Sequence, residues 1–207
     1  MYNLNSYLKI ICGVIVLSLC TSHITGQERM TKKYRTLKVE LQIDAPAAVV
    51  WNALVKDYGN IGNFSPYIYS AHYENGSLQG EIGAERKCYF SKNEKHWAHE
   101  IILDINEEKM EMVNTIKDAR KFPLDKDNTQ AIYRVRDNGD GTSTAGYEFQ
   151  YRAKPAFMGG LMKGRFKKLL GGTLEGLKHY VETGEIVNAT NERYEEIKDQ
   201  YEYKVIK

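Results

Sequence analysis

The sequence predicts an α+β domain, with helices on one face of a curved antiparallel sheet. Three observations predict it. Residues 37–43 alternate apolar and polar side chains with a period of two. From Pro66 to Arg152 most of the chain keeps strand-like patterns broken by short turns, the strongest being Asn138-Gly139-Asp140-Gly141. After Pro155 the apolar spacing becomes helical and stays so until Thr183-Gly184.

The opening strand has Leu37, Val39, Leu41 and Ile43 on one face, with Lys38, Glu40, Gln42 and Asp44 on the other. Asp44-Ala45-Pro46 reads as a helix start, because Asp accepts hydrogen bonds from free N–H groups and Pro fits the first turn. Val49, Val50, Trp51, Ala53 and Leu54 supply the apolar face of this helix to near Asp57. Tyr58 to Phe64 reads as a turn or a short second helix. Strands are expected over Tyr67–Tyr73 and Glu85–Ser91. The next carries Trp97, His99, Ile101, Leu103 and Ile105 as its apolar set, and another carries Met110, Met112, Asn114 and Ile116. Ile132–Arg136 and Thr142–Arg152 complete the series, the latter with Ala145, Tyr147, Phe149 and Tyr151 on one face. Short connections imply antiparallel pairing.

The long helix places Met158, Met162, Phe166, Leu169, Leu170, Leu174, Leu177 and Val181 at helical spacing. A second row holds Gly160, Gly164, Gly172 and Gly176. Each glycine costs about 1 kcal/mol against alanine in a helix interior. Four in register therefore indicate tight packing on the sheet or, alternatively, room for a ligand. Beyond Gly184 the tail is charged, with a short surface helix expected over Asn191 to Gln200.

A chain of 207 residues suits one domain with extensions. Its 29 basic and 27 acidic residues leave a net charge of +2, which gives no electrostatic ground for binding nucleic acid. Three cysteines make no disulfide framework. Fifteen tyrosines are the unusual feature, and they suggest a lined cavity or an interface.

Lys9, the apolar run Ile10–Cys20 and the polar stretch Thr21–Gly26 have the order of a secretory signal peptide, cut ahead of Gln27. The run is 11 residues long, whereas a spanning helix needs about 20. The expected localisation is periplasmic or extracellular, the alternative being an N-terminal membrane anchor. Cleavage would leave Cys88 as the one cysteine, which should then be buried.

Ile43-Asp44-Ala45-Pro46-Ala47-Ala48-Val49-Val50-Trp51, followed by Asp57-Tyr58 and Phe64-Ser65-Pro66-Tyr67, resembles the opening of the polyketide cyclase/dehydrase and lipid-transport group of the START/Bet v 1-like (SRPBCC) superfamily. Gly80-Glu81-Ile82-Gly83-Ala84-Glu85-Arg86-Lys87-Cys88 resembles that group's Gly-x-x-Gly-x-x-Arg strand entry, and the Leu-rich final helix agrees. The resemblance covers residues 35–183. It implies a helix-grip fold, in which the sheet wraps the long helix around a deep apolar cavity. It implies no particular reaction, since the superfamily hosts carriers, cyclases and other modules. The organisation expected is a signal peptide at 1–26, a lead-in at 27–35, a helix-grip ligand-binding domain at 36–184 and a charged tail at 185–207.

The chain has no phosphate loop, no Gly-x-Ser-x-Gly elbow and no Cys-x-x-Cys. His96 and His99 point to opposite faces of a strand and cannot share a metal. Neither a metal nor a cofactor is expected. Strand parity places His99 with Trp97, Ile101 and Leu103, facing the core or a cavity. The alternative for His99 is a core histidine satisfied by a hydrogen bond. Arg86, Cys88 and Phe90 share another inward face. A buried Arg needs a partner, either a ligand carboxylate or an internal acid. Glu148 is a poor candidate, because parity points it away from Tyr147 and Phe149. Tyr147, Phe149 and Tyr151 read as wall residues, with Phe166 from the helix and Tyr67, Tyr69 and Tyr73 as further candidates. Each of these is otherwise plain core. The expected ligand-binding set is Arg86, Cys88, Phe90, Trp97, His99, Tyr147, Phe149, Tyr151 and Phe166. Lys163, Arg165, Lys167 and Lys168, beside Phe157 and Met158, form either a solvated face or a peripheral contact with an anionic lipid surface.

The function expected is binding, or transport, of a hydrophobic small molecule or lipid. One alternative is a polyketide cyclase/dehydratase-like enzyme, with His99 as general base and Arg86 or a tyrosine stabilising an enolate. The other is an interaction module that uses the charged tail and the Gly-rich helix.

Overall fold

The computed structural model describes residues 30–206. The expected signal peptide, residues 1–26, lies outside the described residues. The chain runs β1 (Arg35–Ile43), then α1 (Ala47–Trp51), which continues as a π-helical turn (Asn52–Lys56) and a 3-10 segment (Tyr58–Asn63). Six strands follow: β2 (Ser70–Glu74), β3 (Glu85–Tyr89), β4 (Trp97–Asn106), β5 (Glu111–Arg120), β6 (Gln130–Asp137) and β7 (Ser143–Tyr151). The long helix α2 (Gly159–Thr183), a short α3 (Arg193–Ile197) and β8 (Lys204–Ile206) complete the fold. One antiparallel sheet takes the order β2-β3-β4-β5-β6-β7-β1-β8, and α2 packs chiefly on β1 within its curve. This is the helix-grip arrangement.

The core forms where the alternating strands meet the apolar stripe of α2. Leu37, Val39, Leu41 and Ile43 are buried beside Ala145, Tyr147 and Phe149 of β7, and Phe166, Leu170, Leu174 and Leu177 cover them from α2. The hairpin at Asn138–Gly141 joins β6 to β7, with Gly139 and Gly141 in the left-handed region at φ 81° and 87°. Gly184 ends α2 at φ 78°, its N–H bonded to the Tyr180 carbonyl at 2.9 Å.

Asp44 does not cap α1. Its N–H donates to Glu182 at 2.7 Å and its carboxylate pairs with Lys178 at 3.1 Å, which ties the entry of α1 to the end of α2. The glycine row divides. A Cβ on Gly172 would press on the hydroxyls of Tyr67 and Tyr194, and one on Gly176 would collide with the Phe64 carbonyl, whereas Gly164 faces open space. The close packing is thus against residues 64–67, just after the 3-10 segment, and the C-terminal residues, and not against the sheet.

Those C-terminal residues are not a free charged tail. Val187 and Ile197 are buried, the Tyr203 ring lies over Gly171, and β8 pairs with β1 at the sheet edge.

In β4 the expected faces are reversed over its first half. Ala98 lies opposite Cys88 and Glu100 opposite Arg86, so Ala98, Glu100 and Ile102 point inward. Trp97 and His99 lie on the outer face, beside Tyr89 and Lys87. Lys87 sits over the Trp97 ring at 4.5 Å, and His99 Nε2 meets Glu85 Oε2 at 2.7 Å. A register shift between Ile102 and Asp104 then turns Ile105 inward beside Met112, as expected for that residue.

Candidate functional site

Two adjacent chambers lie between α2 and the sheet, with Phe90, Phe122, Phe166 and Leu169 as their shared wall. The inner chamber has about 80 Å³ of free space and the outer about 520 Å³.

Polar groups crowd the inner end. Arg86 on β3 is fully buried. Its Nε and Nη2 each reach Glu100 Oε2 at 2.7 Å, Nη1 donates to the Tyr58 carbonyl at 2.9 Å, and Nη2 donates to the Tyr133 hydroxyl at 2.9 Å. The guanidinium also stacks 3.9 Å from the Tyr58 ring centre. Asn114 Nδ2 donates to the Tyr58 hydroxyl at 3.1 Å and lies 3.4 Å from Glu100 Oε2. Burial works against the Arg86 charge, but Glu100 and the neighbouring phenols hold its pKa well above the usual value. Burial likewise pushes the Cys88 thiol and the Tyr133 phenol up to about 12, with Arg86 opposing, and raises Tyr58 and Tyr147 well above the usual phenol range. The inner end therefore holds one ion pair among neutral groups. Cys88 stays a thiol and contributes packing, not nucleophilicity.

The outer chamber lies under α2 and is lined by Tyr67, Tyr69, Phe122 and Met162, with Lys121, Arg165 and Lys168 around it. His96 packs 5.1 Å from the Phe90 ring and 5.8 Å from Phe122, and its Nε2 has no partner among the described residues. Burial, followed by Arg165 and Lys121, lowers its pKa, so the ring is neutral at ordinary pH.

Of the expected set, Arg86, Cys88, Phe90, Tyr147, Phe149 and Phe166 line the inner chamber. Tyr67 and Tyr69 line the outer one. Trp97 and His99 line neither, being on the outer face of β4. Tyr151 lines neither as well. It is buried behind Phe149 and Phe166, and its hydroxyl donates to the Gly159 carbonyl at 2.9 Å, which secures the start of α2. Tyr73 is structural too, its hydroxyl bonded to the Lys56 carbonyl at 3.2 Å. The acid that neutralises Arg86 is Glu100, not Glu148, which pairs with Lys38 and Arg134 on the other face. Sequence reasoning missed Glu100, Tyr133, His96 and Phe122. The signal for Glu100 was the unmet need of an inward arginine. His96 and His99 do point oppositely, but His96 is the one at the cavity.

The sequence profile of the family described as polyketide cyclase / dehydrase and lipid transport matches residues 35–182. A search of curated proteins finds no match. Among solved structures, a protein from Thermobifida fusca is 22% identical with a TM-score of 0.58, covering 70% of this chain and 92% of that one. Ara h 8.0201 is 21% identical with a TM-score of 0.59, covering 73% and 99%. Truncated norcoclaurine synthase from Thalictrum flavum is 14% identical with a TM-score of 0.56, covering 73% and 95%. At these identities the likeness establishes the fold, not the ligand or the reaction.

Proposed function

The chain belongs to the polyketide cyclase/dehydrase and lipid transport family, within the Bet v 1-like superfamily, and from that premise we propose that it binds and carries an apolar small molecule or lipid. The observation that supports this reading most is the outer chamber. Its free space of about 520 Å³ under α2 falls within the range of about 300–1,000 Å³ typical of small-molecule pockets. Burying the ligand's apolar surface there would supply about 25 cal/mol per Å² before association costs.

The enzyme alternative loses its general base, because His99 stands outside the cavity against Glu85. The interaction alternative loses its free tail, because Tyr194 and Tyr203 pack on α2. We propose a location outside the cytoplasm, on the expectation that residues 1–26 act as a secretory leader. Loading from an anionic membrane fits the surface near the outer chamber. Phe157 is 77% exposed and Leu161 81% exposed, and Lys163, Arg165, Lys167 and Lys168 follow within the next two turns of α2.

Native mass spectrometry of protein purified from its own host should show a bound species that denaturation releases into the lipid extract. A bare polypeptide mass, together with no saturable uptake of the fluorophore 1-anilinonaphthalene-8-sulfonate, overturns the reading.

A further inference from the structure

We propose that the inner chamber accepts an uncharged oxygen at the end of the ligand, a carbonyl or a hydroxyl, and discriminates against a carboxylate, with Tyr147 as the donor that fixes it. This rests on the cavity-binding reading above and adds the chemical class of ligand.

Tyr147 lies on the inward face of β7, is 3% exposed and lines the inner chamber. Its hydroxyl has no hydrogen-bond partner among the described residues. A buried hydroxyl without a partner costs stability, so its retention needs a reason. Its closest ring neighbour, Tyr133, stands edge-on at 4.7 Å, and the Tyr133 hydroxyl is already bonded to Arg86. The phenol stays protonated because burial raises its pKa. It is therefore an uncommitted donor on a residue that lines the chamber.

The cation that could attract a carboxylate is already in use. Arg86 places hydrogens on Glu100, the Tyr133 hydroxyl and the Tyr58 carbonyl. A ligand carboxylate would thus be a second anion beside Glu100 with no cation of its own, in a site removed from water. A neutral oxygen costs far less to desolvate than a carboxylate and accepts a hydrogen bond from the Tyr147 hydroxyl. Size agrees. The free space of about 80 Å³ is about half the 150 Å³ of an engineered cavity that binds benzene. The inner chamber holds a small polar end, and the apolar body extends past the Phe90, Phe122 and Phe166 rings that line both chambers into the outer one.

Four probes of one chain length test this: 2-dodecanone, dodecan-1-ol, dodecanoate and dodecane, each titrated as a competitor of 1-anilinonaphthalene-8-sulfonate. The ketone and the alcohol should bind about tenfold or more tightly than dodecanoate, a difference of about 1.4 kcal/mol. Tyr147→Phe should remove most of the ketone's advantage over dodecane and leave dodecane itself unchanged. The ligand-free variant should melt at the same temperature as the parent or higher, since it loses an unpaired buried hydroxyl. Dodecanoate binding as tightly as the ketone, or a ketone-to-dodecane ratio unchanged in Tyr147→Phe, overturns the inference while the cavity reading stands. Failure of all four probes to compete overturns both.

Discussion

The inner chamber lies between α2 and the strands and keeps its polarity in one interlocked group, whereas the outer chamber lies between α2 and loops that carry separate, partly solvated charges. In the inner one, Arg86, Glu100, Tyr58, Asn114 and Tyr133 satisfy one another within 2.7–3.5 Å. In the outer one, Lys121, Arg165 and Lys168 surround an apolar space, and Arg165 and Lys121 act on His96 through their fields. The two kinds of polarity act on different properties. A fully paired buried network fixes geometry and is costly to break from one side. Charges at a solvated rim tune titration and encounter but contribute little to stability.

The sharpest test of that contrast is Arg86→Met, which strands Glu100 in the interior. It should cost about 3–5 kcal/mol of unfolding free energy, read by urea denaturation. The double variant Arg86→Met/Glu100→Leu should recover most of the loss, because no unpaired charge remains. A single-variant cost below about 1 kcal/mol would mean that the network is no more structural than a rim charge.

The shared wall comes next. Phe122 is half-buried between the chambers, so Phe122→Ala should cost about 1–2 kcal/mol, less than the 3–5 kcal/mol of a fully buried aromatic. It should also extend the longest alkyl chain that competes with the fluorophore. Unchanged chain-length selectivity would show that this ring does not separate the chambers.

The smallest effect belongs to His96. Its folded pKa lies below the ordinary imidazole value, so the folded state favours the neutral ring. The contribution to stability is complete above that ordinary value, near pH 6.5, and is lost as pH falls through the lower folded value. Apolar ligands should weaken over the same window, because binding further desolvates the ring. His96→Phe should flatten both slopes, whereas a substitution at His99, which lines neither chamber, should leave the slope of ligand affinity in place.

Much of this molecule was legible in the sequence. The alternation of Leu37 to Ile43 and the Tyr147–Phe149 face are local, because side chains on a strand repeat every two residues. The hairpin glycines and the Gly184 stop are local as well, because they need positive φ. The inward placement of Arg86 and Cys88 came from parity within a single strand. The face of β4 was not legible. Its outer side carries Trp97, Ile101 and Leu103 and looks like a core stripe, whereas its inner side carries Ala98 and Glu100, the salt-bridge partner of Arg86. Hydrophobic parity fails where a buried charge is paired across strands. The C-terminal strand was hidden for a related reason, as three residues between charges gain order only by pairing with β1.

The antiparallel sheet, the long covering helix and several walls of a cavity were readable in the sequence, because each follows from short-range periodicity or turn chemistry, while the family was readable only through the resemblance of its motifs. Only the tertiary structure decided that Glu100 neutralises Arg86, that His96 and not His99 reaches the cavity, and that the cavity has two chambers. Those outcomes depend on cross-strand register, on shifts such as the one between Ile102 and Asp104, and on aromatic rings brought together from the end of β3, α2 and the segment before β6. Such contacts join residues far apart in the chain, and no local pattern encodes them.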